Sequence, residues 1–263
     1  MEIVLSIAGS DPSAGAGIQQ DLKTITAIGC YAATAITAIT VQNTLGVSNV
    51  MPLPGDIVAA QIQAIFNDYD VKAVKIGQIP NLDVANAIVN TLQDYYTKHS
   101  LPIIYDPVMI STSGRALMEQ ECVGYLCSHL FKLCTLVTPN LPEARTLTQC
   151  ELNTVGDIDN AGAKLVKIYG SAFLLKGGHS ADSHSTDCLY LPDGTSHKFS
   201  SQKIATKNLH GTGCTLSSAI ASYIAQGSIL SEAVGKAHTF VYNAITRSTH
   251  HGIGRGNGPI LVG

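Results

Sequence analysis

Short apolar runs alternate with longer segments of helical period along almost the whole chain, and this alternation leaves few folds open. Glu2–Ala8 precedes a helical segment near Ile18–Ile28, and Ala73–Ile76 precedes one at Asp83–Lys98. Pro102–Tyr105 precedes Met118–Leu130, and Thr135–Val137 precedes Leu141–Leu147 and Val155–Tyr169. Apolar runs without polar alternation suit strands buried on both faces, and strands joined through helices lie parallel. The spacing predicts an α/β fold, with a mostly parallel central sheet, helices on both faces and right-handed crossovers. Further strands are expected at Tyr31–Val41, at Val47–Leu53 on an edge, and at Ala172–Leu175. Cys188–Leu191 and Ser196–Phe199, joined by Pro192-Asp193-Gly194-Thr195, read as an antiparallel hairpin. Helices are also expected from Pro54 to about Tyr69, and over 213–226 and 230–248. Nothing resembles a linker within the 263 residues, so residues 1–263 read as one domain.

Composition narrows the partners. Apolar residues make up 45% and charged residues 13%, a balance that fits a buried sheet. The net charge of −3, with no basic stripe, argues against a nucleic-acid partner. The seven cysteines are odd in number and form no CxxC pair, which speaks for reduced thiols rather than disulfides or structural zinc. The apolar run Ile3–Ala8 is too short for a signal peptide or a membrane span, so a cytoplasmic protein without a membrane partner is expected.

In open parallel sheets, ligands bind outside the carboxyl ends of the strands. The polar residues Gly9, Asp11, Gln42, Asn43, Gly77, Gln78, Asp106, Asn140, Glu143 and Lys176 to Gly178 fall at those ends. GxxxxGK[ST], GxGxxG after a strand, a kinase-type catalytic loop and HExxH are all missing, which disfavours P-loop enzymes and nicotinamide dehydrogenases. An anion site is expected instead at the turn Asn208-Leu209-His210-Gly211-Thr212-Gly213-Cys214-Thr215, where two glycines lead into a buried helix. The first helical amides have no internal partner, and glycine lets a phosphate or oxyanion approach them. Cys214 in that first turn would have its thiolate stabilised and could accept a proton; otherwise it is a small buried hydrophobe. Lys176 would then serve as a point charge, with Asp106 and Glu143 as metal carboxylates. Asp106-Pro107 also suits a plain turn, and Glu143 a helix-start charge.

Asp21, on the first helix, and Gln42, at a strand end, suggest a different task. A carboxylate and an amide facing one pocket would read an aminopyrimidine edge, although Asp21 could equally be a solvated helix carboxylate. His179, His184, His250 and His251 read as loop or surface residues, and His210 stands out only by its place beside the anion turn.

The segments Ile7–Thr24, Gln42-Asn43-Thr44, Lys75-Ile76-Gly77, Asp106–Met109, Thr138–Ala144, Lys176–His179 and His210–Thr215 closely resemble the bacterial hydroxymethylpyrimidine/phosphomethylpyrimidine kinases of thiamine biosynthesis. These belong to the ribokinase-like superfamily, and the likeness runs from residue 3 to the tail Gly254–Pro259. The resemblance implies a three-layer sandwich, usually a homodimer, that moves the ATP γ-phosphate first to the hydroxymethyl group of a small aminopyrimidine and then to the monophosphate. It assigns Gly9, Asp21 and Gln42 to the pyrimidine, and Gly211, Thr212, Gly213 and Cys214 to the anion hole. Asp106 and Glu143 match positions around Mg²⁺, and Asn140, Lys176 and Lys236 positions near ATP. Cys214 stands where related sugar kinases carry an aspartate base, which disfavours a sugar substrate. Gln78 departs from the methionine usual in the family and adds an amide to the substrate pocket. Pyridoxal kinases are the nearest rival, with Gln42-Asn43-Thr44 favouring the pyrimidine. A non-catalytic precursor sensor is disfavoured because both the anion turn and the carboxylates are present.

Overall fold

The computed structural model describes residues 1–96, 100–111, 114–177 and 183–263. The chain begins with β1 (Ile3–Ser10), α1 (Gly17–Ile28), β2 (Tyr31–Asn43), β3 (Gly46–Pro52), α2 (Gly55–Asp68) and β4 (Val71–Ile76). There follow α3 (Leu82–Tyr96), β5 (Ile103–Tyr105), α4 (Gln120–His129), β6 (Leu136–Val137), α5 (Leu141–Thr148) and α6 (Val155–Tyr169). The last elements are β7 (Ala172–Leu175), β8 (His184–Tyr190), β9 (Ser196–Gln202), α7 (Thr212–Ala225) and α8 (Leu230–Ser248). One sheet has the order β3-β2-β1-β4-β5-β6-β7-β8-β9. The run from β2 to β7 is parallel, while β3, β8 and β9 join antiparallel at the two edges.

Successive strand residues point to opposite faces, so each central strand feeds two cores. Leu5, Ile7, Val74, Ile76, Ile103, Val137 and Phe173 pack with Val58, Ile62, Ile88 and Leu165 of α2, α3 and α6. Their neighbours Val4, Ala73, Ile104, Leu136 and Leu174 pack instead with Ile25 of α1, Leu216 and Ile220 of α7 and Val234 of α8. The result is the expected three-layer α/β sandwich.

Outside the hairpin, the described element boundaries lie within about two residues of the sequence pattern. The hairpin strands extend to His184 and Gln202, because their outer residues are polar and half-exposed and so give no apolar signal. The helix expected from Met118 begins at Gln120. The expected end of α3 at Lys98 lies outside the described residues, as do Gly178 and His179. Because β2 and β4 lie on either side of β1, the strand order reverses there, and a crevice opens at the carboxyl ends of β1 and β4.

Candidate active site

A cavity of about 790 Å³ occupies that crevice. Its floor is built by two loops that lock together. In the β1–α1 loop the Asp11 carboxylate accepts hydrogen bonds from the amides of Ser13, Gly15 and Ala16 at 2.8, 3.2 and 2.9 Å. Gly17 turns the chain at φ +58, where a Cβ would lie 2.2 Å from the Gly9 carbonyl oxygen. The second loop brings Gly211, at φ +88, so close that a Cβ there would lie 2.0 Å from the Gly15 carbonyl oxygen. Only glycine meets both demands at these two turns.

Gly211 is the N-cap of α7, with no side-chain cap and no acidic residue in the first turn. Thr212, Gly213 and Cys214 therefore present a positive helix end to the cavity. Small buried residues (Ser217, Ser218, Ala219, Ala221, Ser222) let α7 lie close over β4 and β5, which aims that end at the strand termini. A Cβ on Gly213 would meet Asp106 Oδ2 at 3.2 Å and Lys176 Nζ at 3.5 Å, so bare backbone abuts a charged pair. Lys176 Nζ donates to Asp106 Oδ1 at 2.7 Å, and Thr138 Oγ1 donates to the same oxygen at 3.2 Å. Burial would lower the Lys176 ammonium, but Asp106 and Glu143 outweigh it and raise its pKa.

Glu143 and Asn140 cap α5 reciprocally: the Asn140 side chain accepts from the Glu143 amide, and the Asn140 amide donates to Glu143 Oε2 at 2.8 Å. Burial, reinforced by the charge of Asp106, pushes the Glu143 carboxyl up to about 7 although Lys176 opposes the rise. Two carboxylates with one lysine between them favour an added cation. Hard oxygen donors beside an anion site suit Mg²⁺, which takes one or two carboxylates and fills its shell with phosphate and water. Among the described residues no group of three or more His, Cys, Asp or Glu side chains gathers as a protein-only metal cage.

Gly9, Thr40, Gln42, Gln78 and His210 also line the cavity. Gln78 Nε2 donates to the Leu117 carbonyl at 3.3 Å, and a Cβ on Gly9 would lie 2.1 Å from Gln78 Oε1. Gln42 Nε2 lies 3.1 Å from His210 Nε2 and 3.3 Å from Asp11 Oδ2. The His210 backbone is braced by the tail, accepting from the Ile260 amide at 3.0 Å and donating to the Gly258 carbonyl at 3.1 Å. Nearby, the Asn257 amide donates to the Thr44 carbonyl at 2.9 Å.

Three expectations are corrected. Asp21 does not face the cavity: it is fully buried, pairs with Lys75 Nζ at 2.7 Å and accepts from Ser6 and Ser218 hydroxyls at 2.6 and 2.8 Å. The charged group behind the cavity wall is Lys75, itself fully buried, whose ammonium is kept charged because Asp21 outweighs burial. Cys214 is not a low-pKa thiol: burial pushes it up to about 11 despite Lys75, with Asp21 and Asp106 adding to the rise. The helix end and Lys75 favour the thiolate, but desolvation outweighs them. Lys236 is exposed on α8, donating to Ser228 Oγ at 2.9 Å and lying 5.9 Å from the Tyr223 ring centre, and it is not among the residues lining the cavity.

Sequence reasoning gave no role to His238 and Asp187. Asp187 accepts from the Gly177 amide at 2.9 Å and holds His238 Nδ1 at 3.2 Å, while His238 Nε2 is buried without a hydrogen-bond partner at the cavity wall. Period-2 and period-3.6 patterns flag neither residue, since each sits on a partly polar face. Lys75 did carry a signal, as a lysine inside the apolar strand Val71–Ile76.

The model of the phosphomethylpyrimidine kinase family matches residues 11–261. The hydroxymethylpyrimidine/phosphomethylpyrimidine kinase of Rhizobium meliloti is 42% identical over 98% of this chain and 96% of its own length. The thiamine biosynthesis bifunctional protein ThiED of Geobacter sulfurreducens is also 42% identical over 98% of this chain, which spans about half (51%) of that longer protein. The ADP complex of Bacillus subtilis pyridoxal kinase superposes with a TM-score of 0.89 at 32% identity, covering 100% of this chain and 97% of that one. With the anion turn, the Lys176–Asp106 pair and Gln42 lining one cavity, and with likeness of this extent, the chain belongs to the phosphomethylpyrimidine kinase family.

Proposed function

We propose that this chain, acting as one kinase domain over residues 1–263, transfers the γ-phosphoryl group of ATP to the hydroxymethyl group of 4-amino-5-hydroxymethyl-2-methylpyrimidine. It then phosphorylates the monophosphate to the diphosphate, within thiamine diphosphate biosynthesis. The observation that carries this reading is a single cavity lined by an anion-binding helix end, by Lys176, Asp106 and Glu143, and by the Gln42 amide. Phosphoryl transfer needs positioning and charge stabilisation more than covalent help. The amides of the Gly211–Cys214 turn receive charge developing on the transferred group, and Lys176 binds its oxygens as a point charge. Asp106 and Glu143 would hold Mg²⁺, which would supply further neutralisation of the phosphates. Gln42 reads the ring edge, and Gln78 narrows the pocket against Gly9.

Cys214 lines the cavity as a neutral thiol, so it would take the substrate proton only through its thiolate. Lys75, pinned by Asp21, is the cation that favours that form. The loose transition state tolerates a scarce base, because the hydroxyl loses its proton late.

A pyridoxal kinase is the second reading, favoured by the likeness to the Bacillus subtilis enzyme. Mass spectrometry after incubation with Mg²⁺-ATP and either the aminopyrimidine or pyridoxal separates the two. Mono- and then diphosphate from the pyrimidine supports the first, whereas phosphate only on pyridoxal replaces it with the second. A homodimer is further supported by the exposed apolar side chains Ile39, Val41, Leu45 and Met51 around β2 and β3, which a second copy would cover. Sedimentation of wild-type and Val41→Lys protein tests it. Seven free cysteines support a reducing, cytoplasmic setting. Among the described residues no helix is long and apolar enough to cross a membrane.

A further inference from the structure

His210 Nε2 lies between two groups that ask opposite things of it. It is 3.0 Å from Asp11 Oδ2 and 3.1 Å from Gln42 Nε2. Burial would raise the Asp11 carboxyl, but hydrogen bonds from His210 and Ser13 outweigh it and keep the group below the usual carboxylate range. Asp11 is therefore an acceptor only, and it asks His210 Nε2 for a proton. An amide NH₂ of Gln42 at the same nitrogen asks it for a lone pair. One nitrogen cannot provide both.

Two arrangements compete, and each leaves one pair of acceptors facing: Nε2 against Asp11 Oδ2 at 3.0 Å in the first, the amide oxygen against Asp11 Oδ2 at 3.3 Å in the second. In the first, the His210 proton is on Nδ1, and the Gln42 NH₂ donates to both the Nε2 lone pair and Asp11 Oδ2, which lies 3.3 Å from it. In the second, the proton is on Nε2 and points at Asp11. The Gln42 amide then turns over, with its oxygen toward His210 and its NH₂ toward Thr40 Oγ1. Thr40 Oγ1 is 3.3 Å from the outer amide atom and has its own proton committed to the Ser10 carbonyl at 2.9 Å, which leaves lone pairs to accept that NH₂. Oxygen and nitrogen of a glutamine amide are nearly isosteric, so the turnover costs no space.

The ring cannot escape the choice by moving. His210 is braced by Gly258 and Ile260, and Gly15 leaves room for its edge: a Cβ there would lie 2.3 Å from His210 Cδ2. The turnover exchanges donor and acceptor on the amide that Gln42 shows to the cavity. An aminopyrimidine edge presents a donor beside an acceptor, whereas a hydroxypyridine in its anionic form presents acceptors alone.

We propose that His210, oriented by Asp11, is a positioning residue whose tautomer sets which way round the Gln42 amide is held, and thereby which heterocyclic ring the cavity prefers. This rests on Gln42 being the ring-contacting residue. Binding of the aminopyrimidine and of pyridoxal, measured by calorimetry without ATP on the full chain, tests it. His210→Leu frees the amide, so the ratio of the two Kd values shifts about tenfold. His210→Gln, which keeps a donor near the Nε2 position, returns the ratio toward wild type. In a Gln42→Ala background His210→Leu leaves the ratio unchanged. Equal changes in both Kd values, or additive effects of the His210 and Gln42 variants, would overturn the proposal. Nitrogen-15 spectra of the His210 ring provide a readout that needs no ring ligand. Gln42→Ala removes the competing request and moves His210 toward its Nε2-protonated form; unchanged tautomer signals count against the coupling. If wild-type protein binds neither ring, the substrate reading fails while these spectra still decide the coupling.

Discussion

Replacing Asp21 by Asn separates a structural carboxylate from a ligand-binding one. Asp21 accepts from Lys75 at 2.7 and 2.9 Å and from Ser6 and Ser218 hydroxyls, with both charged side chains fully shielded from solvent. Removing one partner of a buried ion pair costs about 3–5 kcal/mol, because the other charge is left uncompensated. For a domain of this size about 2 °C of Tm is lost per kcal/mol, so Asp21→Asn should lower Tm by roughly 6–10 °C. The double variant Asp21→Leu with Lys75→Met removes both charges together and should recover most of that stability, since apolar replacement of a buried pair is often neutral or favourable. Urea and thermal unfolding give the stabilities, and calorimetry with the aminopyrimidine gives the affinity. The Kd should stay within about threefold for Asp21→Asn, because the carboxylate lies behind Lys75 rather than in the cavity; threefold is about 0.7 kcal/mol. A loss of stability below about 1 kcal/mol, or a double variant as unstable as the single one, would refute the reasoning. So would an affinity lost tenfold with stability intact.

Three further outcomes are expected. The Glu143 carboxyl, raised from 4.5 to about 7, binds more protons folded than unfolded between those values. Metal-free stability should then fall as pH rises through that window, by on the order of 3 kcal/mol, and level off above about pH 7. Glu143→Gln should flatten this dependence, whereas added Mg²⁺ should bind more tightly as pH rises, because it needs the ionised form; melts at several pH values with and without metal check both. Lys236→Ala should leave KM for ATP and for the ring within about twofold, because Lys236 does not line the cavity; a several-fold rise in KM for ATP in steady-state kinetics would show that the sequence expectation for Lys236 is right. Gly9→Ala should push the Gln78 amide off its bond to Leu117 and weaken ring binding, and Gln78→Ala in the same chain should restore part of the loss; no recovery would mean that Gly9 is needed for its backbone alone.

The layers of the fold were legible because strand residues such as Val4 and Leu5 go to opposite cores, and a strand buried on both faces leaves an unbroken apolar run. The strand termini with their polar residues were legible for the same reason, and with them the turn at Gly211–Cys214. What sequence could not supply was direction. Asp21 and Lys236 each lie on a helix next to the cavity, and a rotation of one residue on the helix decides whether a side chain enters it. Asp21 turns into the core, where Lys75 waits, and Lys236 turns to solvent, while His238 two residues on faces inward. Local desolvation was equally hidden. The raised Cys214 thiol reflects burial and two carboxylates brought from residues 21 and 106, which no reading of the turn alone contains.

The bracing of His210 by Gly258 and Ile260, and of Thr44 by Asn257, also bears on the order of assembly. The Gln42 and His210 part of the cavity joins strand ends near the start of the chain to a strap some two hundred residues away, through contacts of high sequence separation whose loop-closure cost falls late in folding. The core under α2, α3 and α6 draws on helices that follow one another in sequence, whereas the core under α1, α7 and α8 shares the strap's dependence, joining Val4 and Ile25 to Leu216 and Val234. A folding intermediate with the first of these cores complete and the strap undocked would look native over much of its helix and strand content yet have no ordered ring pocket. Maturation of this enzyme should accordingly be visible as two events, with compaction first and competence afterwards.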